Sequence, residues 1–266
     1  MMASPVPPPP PPPPTPPKVF KELFSALAHH QGVLSSSAFN AYGTLIFKPP
    51  PPLFQFDFGP PQWPCPIDKS AVCARVLLIQ SWVDGCFGFV GGGSQPGEES
   101  SPTLTMAREF EEEVGTRVEF TDDDFVFAVD RGGRMTFTFA KVTSDKSLFE
   151  SVVSSFHATT IGRAAFINEI FTVTSLPLWV ESDSSKQNAP IWGLPRILLG
   201  GMLTPTLSNS RAVRDDLVAI LIIKGVIEKD EMKRRVFDVA NELVRRGGAN
   251  MTPLPEFDLL CARFGL

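Results

Sequence analysis

Arg108-Glu109-Phe110-Glu111-Glu112-Glu113-Val114-Gly115 places its acids and its apolar residues on a helical repeat. At about 100° per residue, Glu109, Glu112 and Glu113 share one sector, because positions i, i+3 and i+4 are neighbours on a helix. Leu104, Ala107, Phe110 and Val114 fall on the opposite side, which predicts one packing face and one face of concentrated negative charge. Ser101 is expected as the N-cap, with Pro102 at the first helical position and Gly115 at a left-handed end. Like charges at this spacing repel. A hard divalent cation would relieve that repulsion, and oxygen-only donors with no soft ligand nearby suit Mg²⁺ or Mn²⁺. A solvated acidic surface is the competing reading of the same glutamates.

Upstream, Ala41–Phe47 and Ala71–Trp82 read as strands, with a proline- and aromatic-rich loop between them. A turn at Val83-Asp84-Gly85 leads to a short strand, Phe87–Val90, which runs into Gly91-Gly92-Gly93. Downstream, Phe125–Val129 and Met135–Val142 pair across Asp130-Arg131-Gly132-Gly133. Ser147–Phe156 is expected to be helical and Phe166–Ser175 a strand. Arg211–Gly225 and Glu228–Arg246 show the alternation of amphipathic helices. Strands flanking a central helix, with further helices behind, predict a layered α/β fold.

The glycine-rich strand end, the Pro96-Gly97-Glu98 turn, the capped helix and the R-E-F-E-E-E-V-G run together resemble the Nudix box. The family pattern is G-x5-E-x7-R-E-U-x-E-E-x-G-U, with U apolar, and this chain supplies Gly92, Glu98, Arg108, Glu109, Phe110, Glu112, Glu113 and Gly115. Two positions depart from it. Nine residues separate Glu98 from Arg108 instead of seven, so Glu99 is a second candidate for the first glutamate, and Thr116 stands at the last apolar position. Within the family the resemblance runs furthest to enzymes that decap small nucleolar RNA and hydrolyse inosine diphosphate. It is carried by Gly88-Phe89-Val90, Phe137–Lys141, Glu169 ahead of Pro177, Gly193-Leu194-Pro195 and Ser208-Asn209-Ser210.

That resemblance implies a Nudix-type α/β/α sandwich, a mixed sheet with the box helix packed on it, plus extra C-terminal helices. It implies Mg²⁺- or Mn²⁺-dependent hydrolysis of a diphosphate linkage in a nucleotide or a capped or 5′-phosphorylated RNA, releasing a nucleoside monophosphate. Glu112 and Glu113 would be direct metal ligands. Glu109 would be a ligand or general base, the Gly92 carbonyl would complete the shell, and Arg108 would orient the glutamates. Glu169 matches a position that supplies a further ligand or base, or is an ordinary strand glutamate. Phe89 and Glu98 are the candidates for contact with substrate, Phe89 by stacking on a base, although core packing is the usual fate of a phenylalanine. Arg131, Arg134 and Lys141 on the hairpin could meet RNA phosphates or simply be solvated. Two other activities fit: a housekeeping pyrophosphohydrolase of inosine or other nucleoside diphosphates, and a non-hydrolytic Nudix-fold module that binds RNA or protein. The irregular box spacing favours the module, and the clustered charge argues against it.

The chain has 266 residues and a net charge of -5, which gives no support to nucleic-acid binding driven by bulk charge. Cys65, Cys73, Cys86 and Cys261 lack zinc spacing and are expected to be free thiols. The three histidines, His29, His30 and His157, have no partners at a defined spacing. The divisions expected are a proline-rich leader at 1–37, disordered apart from a short helix at 18–28, a hydrolase domain at 38–225 and a helical extension at 226–266. Pro7–Pro14 forms a polyproline II rod that serves as a spacer or as a ligand for a protein partner. No apolar run reaches a membrane-spanning length and no secretory signal is evident. A soluble intracellular protein, cytoplasmic or nuclear and without a membrane partner, is expected, with the oligomeric state open and a homodimer among the possibilities.

Overall fold

The computed structural model describes residues 17–33, 38–49, 74–81, 87–131, 133–159, 170–177, 208–234 and 254–266. Among these, eight strands form one mixed sheet: β1 (Lys18–Phe20), β2 (Asn40–Phe47), β3 (Arg75–Ser81), β4 (Phe87–Gly88), β5 (Val90–Gly93), β6 (Phe125–Asp130), β7 (Met135–Thr143) and β8 (Ile170–Pro177). The main path runs β1-β6-β7-β2-β3-β4, with β5 on β2 and β8 on β3. β2 and β7 are parallel along their whole length, and every other pairing is antiparallel. β2 is the pivot. Its first half pairs with the glycine strand β5 and its end pairs with β3.

Strand alternation sends successive side chains to opposite faces, and each face carries its own core. On one face Leu45, Leu77, Val90, Phe137 and Phe139 pack beneath α1 (Leu23–Val33), α2 (Pro102–Val114) and α3 (Lys146–Thr159), through Ala26, Met106, Phe110, Val114, Phe149 and Val152. On the other, Ile46, Val76, Leu78, Phe127 and Val129 meet α4 (Ser208–Ile223), the helical residues 229–234 and α5 (Leu254–Phe264). The fold is therefore mixed α/β, with helices on both faces of a mixed sheet.

Two expected boundaries move. Lys18–Phe20 is a strand paired with β6, not helix, and Phe20 and Ala26 are buried in the first core. The domain thus begins at least twenty residues ahead of Ala38, with the helix at Leu23–Val33. Phe257, Leu260 and Phe264 belong to the second core, so the C-terminal helix is a layer of the domain and not an appendage. Lys21 Nζ donates to Gly265 O at 2.8 Å and ties the two ends together. The other expected elements fall close to their observed ranges, except that Leu53–Asp68, Val83–Gly85, residues 235–246 and the proline run lie outside the described residues. No helix among the described residues is long and apolar enough to cross a membrane.

Candidate active site around the α2 carboxylates

α2 begins at Ser101-Pro102 and ends at Gly115, whose φ of 82° is the left-handed conformation that glycine accepts without strain. Ser101 holds the N-cap position, but its hydroxyl contacts Thr103 Oγ1 at 3.2 Å instead of capping an amide. The packing face is Met106, Ala107, Phe110 and Val114. Leu104, expected on that face, is 47% exposed, because the helix orients on Met106-Phe110-Val114 and Leu104 lies about 200° from Met106. The helix approaches the sheet closely at Gly43, where a Cβ would come within 2.8 Å of Met106 Sδ.

This docking sets the acidic face against the end of β5. Arg108 is its hub. Its Nε donates to Glu98 Oε1 at 2.9 Å, Nη1 to Glu112 Oε2 at 2.7 Å and Nη2 to Gly93 O at 2.8 Å. Nη2 also lies 2.9 Å from Glu109 Oε1. One planar guanidinium therefore gathers three carboxylates and a strand-end carbonyl, which the rigid fork of arginine allows and lysine does not. Burial works to lower the Arg108 pKa, but the surrounding glutamates outweigh it and raise it.

Glu98 is the turn glutamate that reaches Arg108. Besides Arg108, it accepts from Thr105 Oγ1 at 2.9 Å and from the Gln95 amide at 3.0 Å. Burial pushes the Glu98 pKa up, but these hydrogen bonds prevail and hold it low. Glu99 is exposed and accepts from the Gly97 amide at 2.9 Å. The backbone bonds of the Gln95–Ser101 turns bring Glu98 back over Arg108.

Glu109 is 8% exposed, and its carboxylate lies against the backbone of Gly92. A Cβ at Gly92 would stand 2.6 Å from Glu109 Oε1, so only glycine leaves room for the acid. Burial raises the Glu109 pKa, the charge of Arg108 opposes this, and Glu112 and Glu98 add to it. Glu113 Oε2 accepts from the Gly91 amide at 2.9 Å. Glu111 points away and pairs with Arg117. Thus Glu98, Arg108, Glu109, Glu112, Glu113 and Gly92 are brought together.

Phe89 is not available for stacking on a base. It is 8% exposed and packs in the core beneath α4 and α5. Glu169 lies outside the described residues. Lys141 binds Glu119 O and Asp124, away from the glutamate face. Tyr42 escaped the sequence reading. Its phenol is half-buried, and burial raises its pKa while Arg134, Glu113, Glu109 and Arg131 all act on it electrostatically. A single tyrosine on a strand gives no sequence signal, since its position beside Gly91 depends on the β2–β5 pairing.

Carboxylate oxygens are the donors that a hard divalent cation prefers. Arg108 engages one oxygen each of Glu109 and Glu112, leaving the second oxygen of each carboxylate outside the pair. Among the described residues, no group of three or more His, Cys, Asp or Glu side chains is arranged so that it could hold a metal ion. The positive charge at the centre of the cluster is Arg108. No protein-family model matches the chain, and no curated protein matches it.

Proposed function

We propose that the chain is a Nudix-type hydrolase with an α/β/α sandwich, cutting a diphosphate linkage in a nucleotide or at an RNA 5′ end with the help of Mg²⁺ or Mn²⁺. The observation that carries this reading is the convergence of Glu98, Glu109 and Glu112 on Arg108 at the end of a glycine strand. Residues separated in sequence by a turn and the first half of a helix meet around one guanidinium, and the box resemblance names these same residues. Glu112 and Glu113 would hold the ion, with Glu109 beside them, and Arg108 would keep Glu109 and Glu112 oriented. A bound divalent ion would neutralise diphosphate oxygens and lower the pKa of an attacking water. Glu109, buried against Gly92, is placed to accept a proton.

The test is turnover of a panel of capped RNA, 5′-triphosphate RNA and free nucleoside diphosphates, with Mg²⁺ and with EDTA. Glu112→Gln and Glu113→Gln should each lower turnover at least ~100-fold, since each removes an oxygen donor from a site whose ion supplies several kcal/mol of transition-state stabilisation. Full activity in either variant, with Mg²⁺ still required, places the metal elsewhere.

One observation favours a second reading, a binding module without catalysis. Arg108 already compensates three of the carboxylates, so the cluster can persist without a metal. Millimolar Mg²⁺ raising thermal stability beyond K⁺ at matched ionic strength supports the hydrolase. Equal responses to the two cations, with tight RNA binding in EDTA, support the module.

A further inference from the structure

Glu98 enters the site from outside α2, on the Gln95–Ser101 turns, so helix geometry does not set its place. Both of its oxygens are held. Oε1 accepts from Arg108 Nε at 2.9 Å and Oε2 from Arg108 Nη2 at 3.3 Å, a side-on fork that fixes the plane of the guanidinium. Oε2 also accepts from the Gln95 amide at 3.0 Å and from Thr105 Oγ1 at 2.9 Å. In that plane Arg108 Nη1 reaches Glu112 Oε2 at 2.7 Å and Nη2 lies 2.9 Å from Glu109 Oε1.

Thr105 is the uncharged side chain in this network, and it is fully buried. It stands three residues before Arg108, so the two side chains are neighbours on one side of the helix and can reach the same carboxylate. A threonine inside a helix can turn its hydroxyl onto the carbonyl four residues back. Here that carbonyl, Ser101 O, accepts the amides of Leu104 and Thr105 at 3.0 and 3.3 Å, and the hydroxyl donates to Glu98 instead. Among the described residues Glu98 is the only hydrogen-bond partner of that hydroxyl. A buried hydroxyl that lost this partner would stand unsatisfied, which ties Glu98 to α2.

We propose that Thr105 is a positioning residue for the glutamate face: its buried hydroxyl fixes Glu98, Glu98 sets the plane of the Arg108 guanidinium, and the guanidinium holds Glu109 and Glu112 in place. This rests on the hydrolase reading and deepens it. Thr105 touches neither substrate nor ion. Without its hydroxyl, Glu98 and Arg108 gain freedom to turn, and the oxygens of Glu109 and Glu112 lose their fixed geometry. The effect falls on the ion and the chemical step, not on substrate affinity.

The test compares the wild type with Thr105→Val, which keeps the shape and removes the hydroxyl, and Thr105→Ser, which keeps the hydroxyl. Turnover is measured on capped RNA, 5′-triphosphate RNA and inosine diphosphate across a Mg²⁺ titration. Two-dimensional ¹H–¹⁵N spectra follow the exchange of the Arg108 Nε–H with water in the metal-free protein. Thr105→Val should lower kcat about ten-fold, raise the half-saturating Mg²⁺ concentration and leave the substrate KM within about two-fold. Its Arg108 Nε–H should exchange about ten-fold faster, and Thr105→Ser should recover most of both losses. If Thr105→Val does not fold, Thr105→Cys, of similar size with a weak donor, takes its place. Unchanged exchange in the hydroxyl-free variant overturns the inference, whatever the turnover. So does a wild-type kcat, or a loss that Thr105→Ser shares in full, since the residue would then serve only the fold. If the wild type cleaves none of the substrates, the hydrolase reading falls and the exchange measurement decides Thr105 alone. Faster exchange in Thr105→Val with recovery in Thr105→Ser then upholds its hold on Arg108, and equal rates overturn it.

Discussion

Arg108→Ala removes the one cation shared by Glu98, Glu109 and Glu112. The magnitude follows from burial. The Glu109 and Glu98 side chains are 10% and 14% exposed, whereas Glu112 is 36% exposed and loses little in water. Stranding a buried charge by removing its partner costs about 3–5 kcal/mol. The lower end applies here, about 3 kcal/mol at neutral pH, because the groups are only partly buried. Two agents should relieve the loss. Protons are the first: with Arg108 gone the folded Glu109 pKa, already raised, rises further above its unfolded value. The folded state then binds more protons, so the Glu109 contribution is retained at low pH and lost as pH rises from the unfolded value through the folded one. Divalent cations are the second, restoring positive charge among the carboxylates. Mg²⁺ at a hundred times its dissociation constant would return about 2.7 kcal/mol. The assay is urea unfolding at pH 5 and pH 7.5, with MgCl₂ or with KCl of equal ionic strength. Arg108→Lys should fall between Ala and wild type, since it keeps the charge but not the fork. An Arg108→Ala midpoint close to wild type would refute the hub. Rescue by K⁺ equal to that by Mg²⁺ would refute the cation site.

Two further expectations concern neighbouring residues. Gly92→Ala places a methyl 2.6 Å from Glu109 Oε1, so the carboxylate must move by several tenths of an ångström and its contact with Arg108 loosens. Turnover should fall by at least ~10-fold with a stability loss of about 1–3 kcal/mol, and wild-type kinetics in this variant would show that Glu109 is free to shift. Asp216 is buried on α4, its Oδ1 has no hydrogen-bond partner among the described residues, and burial pushes its pKa up to about 6 from 3.8 against the pull of Arg131. Because the folded pKa is the higher, this group's contribution is complete below about pH 3.8 and is lost as pH rises toward about 6, by about 3 kcal/mol in all. Asp216→Asn should abolish that decline in a comparison of urea midpoints at pH 4 and pH 7, and parallel pH profiles for the two proteins would show that Asp216 does not titrate in this window.

The helix 102–114, its ends and the grouping of Glu109, Glu112 and Glu113 were legible in the sequence because they depend on neighbours three and four residues apart. The strands at 40–47, 125–130 and 135–143 were legible for a similar local reason, alternation and β-branched composition between turn residues. What lay beyond the sequence depends on non-local pairing. Lys18–Phe20 has the composition of a short helix entry and becomes a strand only because the edge of β6 is open to it. Leu104 and Phe89 are both apolar, and only the docking of α2 and the layer formed by α4 and α5 decide that one is exposed and the other buried. That Glu98 contacts Arg108 while Glu99 stays exposed depends on a turn geometry that residue spacing does not encode. Tyr42, Asn40 and Arg134 lie beside the β5 glycines because β2 is held between β5 and β7, and such pairings form between residues distant in the chain, where local preference carries no information about the partner.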